Sequence, residues 1–257
     1  MRSEKGLALL PIRDLNPSAT TAFVTWLLVG VCAYAFFVLQ GGDSRLSEEH
    51  LFRAASIPCE VLTSEPLSSA EIAGGECRRG DPPVFPEKNV WFSILASIFF
   101  HGSLIHLISN VWVLLIFGNN VEDAYGHGAY LLFYLAAGVV ASGAHIVLNP
   151  DSTLPVVGAS GAIAGVMGTY AVLFPRARVT AIIPPFFFWP FALPALLFLV
   201  VWFGSQFLLA GQETLVAWEA HVAGFVFGVV VGFLGRRRLR AHSTRIGANY
   251  PVGRLAR

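Results

Sequence analysis

The sequence carries little charge, since Asp, Glu, Lys and Arg together make up 13% of its 257 residues while hydrophobic residues make up 55%. A typical soluble domain has about 25% charged residues, so a soluble globular fold is excluded. A helix that crosses a bilayer needs about 20 mostly apolar residues in a row. Six runs approach or reach this length: residues 20–39, 103–117, 129–148, 156–174, 191–210 and 217–234. We therefore expect an all-α membrane protein, a bundle of six transmembrane helices.

Ionisable side chains are nearly absent from these runs, because no Asp, Glu, Lys or Arg lies in the interior of spans two to six. The metal-binding patterns HExxH and CxxC are also missing. A cluster of histidines could bind a metal, but the missing carboxylates and spacings argue against it. We expect neither a metal nor another cofactor.

Cysteine is scarce, with Cys32 in the first span and two more in the long loop of about residues 41–89. Cys59 and Cys77 could form a disulfide if this loop faces an oxidising compartment. They could also remain two thiols, and the sequence leaves both possibilities open. The loop is the one sizeable segment outside the spans.

The basic residues are distributed unevenly along the chain. Twelve of the 17 Lys and Arg lie in segments that share one side of the membrane if the N-terminus is cytoplasmic. Basic residues favour the cytoplasmic side, so we expect both termini there. The expected parts are a cytoplasmic segment (1–19), a membrane domain (20–235) and a basic tail (236–257) that contacts anionic lipid and not nucleic acid. An excess of Arg over Lys and the lack of an organelle-like presequence favour a bacterial plasma (inner) membrane.

A few polar side chains remain inside the spans, where polar groups are costly and often functional. Ser160 lies in the segment GASG near the outer end of span four, and His221 lies at a similar depth on span six. His106 and Asn110, spaced i and i+4, share one face of span two at that depth. Glycines on spans four and six would let these helices approach closely. We place His101 at the membrane interface. His145, on span three, has no partner that the sequence identifies.

These groups match the requirements of acyl transfer. Ser160 would be the nucleophile and His221 its general base. The backbone N–H groups of Ser160 and Gly161, with the side chains of His106 and Asn110, would stabilise the oxyanion. Because no buried carboxylate is available to orient His221, we predict a Ser-His dyad and not a triad. Taken alone, a serine between glycines is more often a packing feature.

Three segments contain these residues: 101–110 (HGSLIHLISN), 158–165 (GASGAIAG) and 220–228 (AHVAGFVFG). A fourth segment, 117–122 (FGNNVE), begins at the end of span two. Together they resemble the rhomboid family of intramembrane serine proteases over about residues 93–235. The resemblance implies a six-helix bundle in which Ser160 is the nucleophile and His221 the base, with His106 and Asn110 at the oxyanion site. It also implies that the substrates are other membrane proteins, cut within or just outside a transmembrane helix.

Two other functions suit a helical bundle of this kind. A rhomboid-like protein without protease activity could bind membrane clients, although such relatives usually lack the serine or the histidine. A small-solute transporter could use the buried histidines, but the absence of buried acid and of an internal repeat disfavours it. The sequence identifies neither the physiological substrate nor the oligomeric state.

Overall fold

Helices make up most of the structure. The computed structural model describes residues 10–42, 44–78, 80–183, 187–207 and 217–249. The helices are α1 (Phe23–Tyr34), α2 (Ser44–Ala54), α3 (Pro58–Thr63), α4 (Ser69–Gly74), α5 (Val90–Ala96), α6 (Leu104–Tyr125), α7 (His127–Leu148), α8 (Ser160–Leu173), α9 (Ala195–Phe207) and α10 (Trp218–Asn249). A π-helical turn, Ala35–Leu39, continues α1.

Apolar helices follow one another in the order of the predicted spans. The helices α6, α7 and the stretch Trp218–Ser243 of α10 are long and apolar enough to cross a membrane. The stretch Phe23–Leu39, α8 and α9 are shorter apolar helices. A mostly helical membrane fold is thus confirmed, whereas the count of six spans and the side of the termini stay predictions.

A small sheet departs from the all-α expectation. Its three strands are antiparallel and lie in the order β1 (Leu10–Asp14), β2 (Arg178–Ile183) and β3 (Phe187–Pro194). The fifth apolar run was expected to be helical from residue 191, but α9 begins only at Ala195. The reason is local, because Pro190 and Pro194 disfavour a helix interior and the aromatic residues around them favour a strand.

The helix α6 is longer than the second apolar run, which ends at residue 117. Its last turns contain Glu122, a carboxylate that is only 1% exposed. Glu122 accepts hydrogen bonds from the backbone N–H groups of Val24 at 2.9 Å and Thr25 at 2.8 Å. These donors belong to the first turn of α1, where N–H groups lack helical partners and negative charge is favoured. Glu122 therefore fixes the start of α1 against α6.

The helix α8 lies in the centre of the bundle, packed against α6, α7, α9 and α10, and nearly all of its residues are buried. Its glycines face those of α10. A Cβ atom at Gly224 would overlap the carbonyl oxygen of Gly161, and one at Gly228 would overlap that of Gly165. Thr169 adds a hydrogen bond from Oγ1 to the carbonyl oxygen of Gly228 at 2.8 Å. The two backbones are thus in direct contact, as small-residue helix interfaces in lipid allow.

Residues 44–89, which we call the loop subdomain, have a small hydrophobic core of their own. A disulfide joins Cys59 to Cys77, so of the two possibilities left open by the sequence the structure contains the disulfide. Near it, the ammonium of Lys88 pairs with the carboxylate of Glu60, and these side chains are only 1% and 2% exposed. The loop subdomain is therefore a folded unit and not an extended linker.

Candidate active site

Ser160 is the first residue of α8. The fourth apolar run was expected to be helical from residue 156, but the residues just before Ser160 form an irregular loop. Gly158 in this loop has a φ of 125°, which glycine adopts without strain. The first N–H groups of a helix have no carbonyl partner within it, and they lie at the positive end of the helix dipole. The surroundings of Ser160 therefore suit a developing negative charge.

His221 of α10 lies beside Ser160. Its Nε2 atom is 2.8 Å from Ser160 Oγ, which is a hydrogen-bond distance. The contact depends on the close packing of the two helices, because a Cβ atom at Gly224, one turn after His221, would overlap the carbonyl oxygen of Gly161. The structure thus brings together the two residues that the sequence singled out on spans four and six.

His106 borders the same space. Ser103 Oγ accepts a hydrogen bond from the His106 N–H at 3.1 Å and so begins α6. The position of a Cβ atom on Gly158 would lie 2.8 Å from His106 Nε2 and 3.6 Å from Ser160 Oγ. Any side chain at position 158 would therefore fill the space between these two groups. Asn110 donates from Nδ2 to the carbonyl oxygen of His106 at 3.0 Å, which uses one of its two N–H groups.

A series of hydrogen bonds ties the loop before Ser160 to the loop subdomain. The N–H group of Gly158 donates to the carbonyl oxygen of Ser97 at 2.9 Å. Ser97 Oγ accepts from the N–H group of Ser56 at 2.6 Å. The carbonyl oxygen of Ser56 in turn accepts from the N–H group of Val156 at 2.8 Å. The loop subdomain therefore helps to hold the turn that presents Ser160.

A small cavity adjoins the serine. Its volume is about 20 Å³, and the residues that line it include Ser97, Ser142 and Ser160. A cavity needs about 10–15 Å³ to hold one water molecule. One water molecule therefore fits beside Ser160.

Gln206 of α9 makes a contact that the sequence analysis missed. Its Oε1 atom lies 2.7 Å from His221 Nδ1, and the residue is only 5% exposed. Gln206 is a polar residue inside the fifth apolar run, so the criterion that selected His221 also applies to it. Glu219, two residues before His221, instead pairs with His145 at 3.4 Å.

Two other histidines make contacts that the sequence did not identify. His101, which we expect at the membrane interface, is 0% exposed and so lies inside the protein, while its depth in the membrane stays a prediction. Its backbone N–H and C=O groups bond the side-chain amide of Gln40 at 3.0 and 2.8 Å, and its ring lies 5.2 Å from that of His106. His145, for which the sequence suggested no partner, contacts Glu219 as well as Asn149. These contacts give both histidines a place in the packing of the bundle.

One group of potential metal ligands occurs in the part of the chain that the structure describes. It consists of Cys59, Glu71 and Cys77, whose ligand atoms lie within 4.8 Å of one another. The disulfide joins both sulfur atoms, whereas metals bind the thiolate form. This group is therefore not a metal site while the disulfide is intact.

The fold and the site thus indicate a class of protein: a multi-helix membrane protein in which a serine and a histidine are in contact. The family model of the Rhomboid domain matches residues 88–238, which include α5 to α9 and most of α10. The chain belongs to the rhomboid family.

Relatives occur in bacteria and animals. The chain is 44% identical over 78 residues to Rhomboid protease GluP of Bacillus subtilis (strain 168), covering 30% of this chain and 15% of that protein. It is 28% identical over 138 residues to Presenilin-associated rhomboid-like protein, mitochondrial, of Bos taurus, covering 53% and 36%. It is 29% identical over 94 residues to Presenilin-associated rhomboid-like protein A, mitochondrial, of Danio rerio, covering 36% and 24%. The chain thus spans less than half the length of these relatives.

Proposed function

We propose that this protein is an intramembrane serine endopeptidase that cuts transmembrane segments of other membrane proteins. The observation that carries the proposal is the 2.8 Å contact between His221 Nε2 and Ser160 Oγ, made between two apolar helices. Membership of the rhomboid family, and the similarity to a protein named rhomboid protease, support it. No cofactor is required for this chemistry.

In the first half-reaction, Ser160 Oγ attacks the scissile carbonyl carbon while His221 Nε2 takes the hydroxyl proton. The carbon–nitrogen bond then breaks, and the leaving amine takes that proton from His221. The products are an ester on Ser160 and a released fragment. A general base of this type contributes about 10²–10⁴-fold to the rate. Loss of His221 should therefore remove most of the activity.

The oxyanion formed during attack needs hydrogen-bond donors. We assign this role to the backbone N–H groups of Ser160 and Gly161, together with the side chains of His106 and Asn110. The position of Ser160 at a helix N-terminus and the ring of His106 beside Gly158 support the assignment. Each preorganised donor of this kind is worth about 10²–10³-fold in rate.

The second half-reaction needs water. A water molecule attacks the ester carbonyl, His221 takes one of its protons, and Ser160 leaves with that proton as a hydroxyl. The cavity of about 20 Å³ beside Ser160 supports this step, because it has room for one water molecule next to the ester.

Substrates are expected to be helices that unwind readily. A carbonyl within a transmembrane helix is hydrogen-bonded, so segments with Gly, Pro or small residues expose a bond more easily. We place the cleavage near the outer face, both termini of the enzyme in the cytoplasm, and the protein in a bacterial plasma membrane. The distribution of Lys and Arg supports this orientation.

Cleavage of a single-span substrate by the purified protein in lipid vesicles tests the proposal. The wild-type protein should release fragments whose new termini, located by mass spectrometry, lie within or beside the transmembrane segment. The variants Ser160→Ala and His221→Ala should give no product above background while keeping the wild-type unfolding temperature. Equal product from the wild type and Ser160→Ala contradicts the proposal. Capture of the uncut substrate by both proteins would instead indicate a client-binding function.

A further inference from the structure

Gln206 is buried near the end of α9, and the proposed Ser-His dyad does not use it. Its Oε1 atom lies 2.7 Å from His221 Nδ1, while the other ring nitrogen of His221 faces Ser160 Oγ at 2.8 Å. The Trp202 ring, one turn earlier on α9, lies 6.1 Å from the imidazole ring, centroid to centroid. Three helices thus contribute to one line of hydrogen bonds, from α9 through α10 to α8.

The backbone of α9 determines which amide atom of Gln206 faces the histidine. Gln206 Nε2 donates to the carbonyl oxygen of Trp202 and to Ser205 Oγ, each at 3.2 Å. Ser205 Oγ itself donates to the same carbonyl at 2.6 Å, so its lone pairs are left to accept. A flipped amide would place its oxygen against the carbonyl oxygen of Trp202, and two acceptors share no proton. The amide oxygen is therefore the atom that contacts His221.

An amide oxygen accepts hydrogen bonds and cannot donate them, so His221 Nδ1 must carry a proton. A neutral imidazole with its proton on Nδ1 has a lone pair on Nε2. That lone pair faces Ser160, where a general base needs it. In the other tautomer, the lone pair of Nδ1 would face the lone pairs of Gln206 Oε1, and Nε2 would have nothing with which to accept the serine proton.

We propose that Gln206 is a positioning residue that selects the Nδ1–H tautomer of His221 and orients its ring. The inference rests on the proposed function and deepens it, because the dyad gains a neutral third member where a Ser-His-Asp triad has a carboxylate. A neutral amide orients the imidazole but adds no charge to stabilise its protonated form. The titratable groups whose charges act on His221 are His106 from α6 and Glu219 from its own helix.

Substitutions at Gln206 separate orientation from simple packing. Gln206→Leu keeps the bulk and removes the acceptor, so it should lower kcat by about 10²-fold with little change in KM. Gln206→Glu keeps an acceptor and adds charge, so its kcat should stay within about tenfold of the wild type. Its acid limb in the pH–rate profile should move to higher pH by about one unit, because a carboxylate favours the protonated imidazole.

A matched control lies on the same helix. Leu196 is 44% exposed near the other end of α9, and Leu196→Ala should keep the wild-type kcat and pH–rate profile. Unfolding temperatures of all variants show whether a loss of rate reflects a loss of structure. A wild-type kcat in Gln206→Leu would overturn the proposal, and so would an unshifted acid limb in Gln206→Glu.

Nitrogen NMR of isotope-labelled histidine in the full chain gives a readout that is independent of catalysis. The wild type should show a single His221 tautomer protonated at Nδ1, and Gln206→Leu should show a mixture of both. An unchanged tautomer in Gln206→Leu contradicts the role of Gln206. If the wild type cuts no substrate in a Ser160-dependent manner, the proposed protease function fails, and this spectrum still decides the inference about Gln206.

Discussion

Lys88 and Glu60 form an ion pair shielded from water inside the loop subdomain. The Lys88 Nζ atom also donates to the carbonyl oxygen of Phe52 at 2.8 Å. Burial lowers the pKa of the Lys88 ammonium, and the neighbouring Glu60 carboxylate opposes this shift. Removing one partner of such a pair leaves an uncompensated buried charge, which costs more than removing both.

Lys88→Met is therefore expected to destabilise the loop subdomain by about 3–5 kcal/mol, because Glu60 loses its cation. The double variant Glu60→Gln/Lys88→Met should recover a large part of this loss. Limited proteolysis of residues 44–89 and thermal unfolding measure both effects. Equal destabilisation in the single and the double variant would show that the ion pair has no such role.

Single residues also show how far the sequence could predict the site. Ser160, His221 and His106 stand out as polar groups in apolar runs, and the structure places all of them around one small space. The contact of Gln206 with His221 can be predicted only when the rotation of α9 about its axis is known, because this rotation decides which side chains face α10. That rotation depends on packing against α10, which the fifth apolar run alone does not encode.

The contact between α8 and α10 requires glycine at each point where the backbones meet. A Cβ atom at Gly228 would overlap the backbone of Gly165, whereas one at Gly143 on α7 would meet nothing within 4 Å. Backbone atoms cannot move aside as the end of a flexible side chain can. Gly228, inside the interface, and Gly143, outside it, therefore form a matched pair for testing this contact.

Gly228→Ala should push α10 away from α8 and so lengthen the contact between His221 and Ser160. We expect a destabilisation of about 1–3 kcal/mol, typical of overpacking, and at least a tenfold loss of cleavage rate, about 1.4 kcal/mol of barrier. Gly143→Ala should leave both quantities near their wild-type values. Thermal unfolding and the vesicle cleavage assay provide the measurements, and similar effects of the two variants would contradict the account.

The disulfide Cys59–Cys77 closes a loop with a sequence separation of 18 residues. A loop of this size is expected to add about 3 kcal/mol to the stability of the loop subdomain. The double variant Cys59→Ser/Cys77→Ser should therefore be cleaved faster by added protease within residues 44–89. The loop subdomain forms hydrogen bonds with the turn before Ser160. The double variant should therefore also cleave substrate more slowly than the wild type. Wild-type activity in the double variant would show that the turn is held without the disulfide.

At the level of elements, apolar length predicted the helices well and their ends poorly. The helix α8 starts at Ser160 and not at residue 156, because an irregular turn with a positive φ at Gly158 precedes it. The sheet was missed because β1 pairs with β2 from a distant part of the chain. Hydrophobic periodicity is a local property of the sequence and carries no information on which distant segments pair.

The molecule as a whole is tied together at the end opposite Ser160 by the sheet and by Asp14 at the end of β1. The Asp14 carboxylate accepts hydrogen bonds from Asn120 Nδ2 at 2.8 Å and from the hydroxyl group of Tyr170 at 2.6 Å. Burial raises the pKa of Asp14 to about 6, against the opposing effect of these hydrogen bonds. The start of the described chain is thereby linked to both α6 and α8.

This linkage predicts a pH dependence of stability. The raised pKa means that the folded state retains a proton on Asp14 that the unfolded state has lost, so the stabilisation is present at about pH 4 and is lost as the pH rises towards 6. The side chain of Asn does not titrate, so the stability of Asp14→Asn should lack this part of the decrease between pH 4 and 6. Unfolding temperatures of both proteins between pH 4 and 7 give the comparison. Parallel curves for the two would contradict the role of Asp14.

Labelling with a serine-directed fluorophosphonate measures whether the bundle activates Ser160 as a nucleophile. The wild-type protein in membranes should form a covalent adduct that peptide mapping places on Ser160. Ser160→Ala should take up no label, and His221→Ala should take it up far more slowly because the base is lost. Equal labelling of the wild type and Ser160→Ala, or an adduct mapped to another residue, would contradict the account.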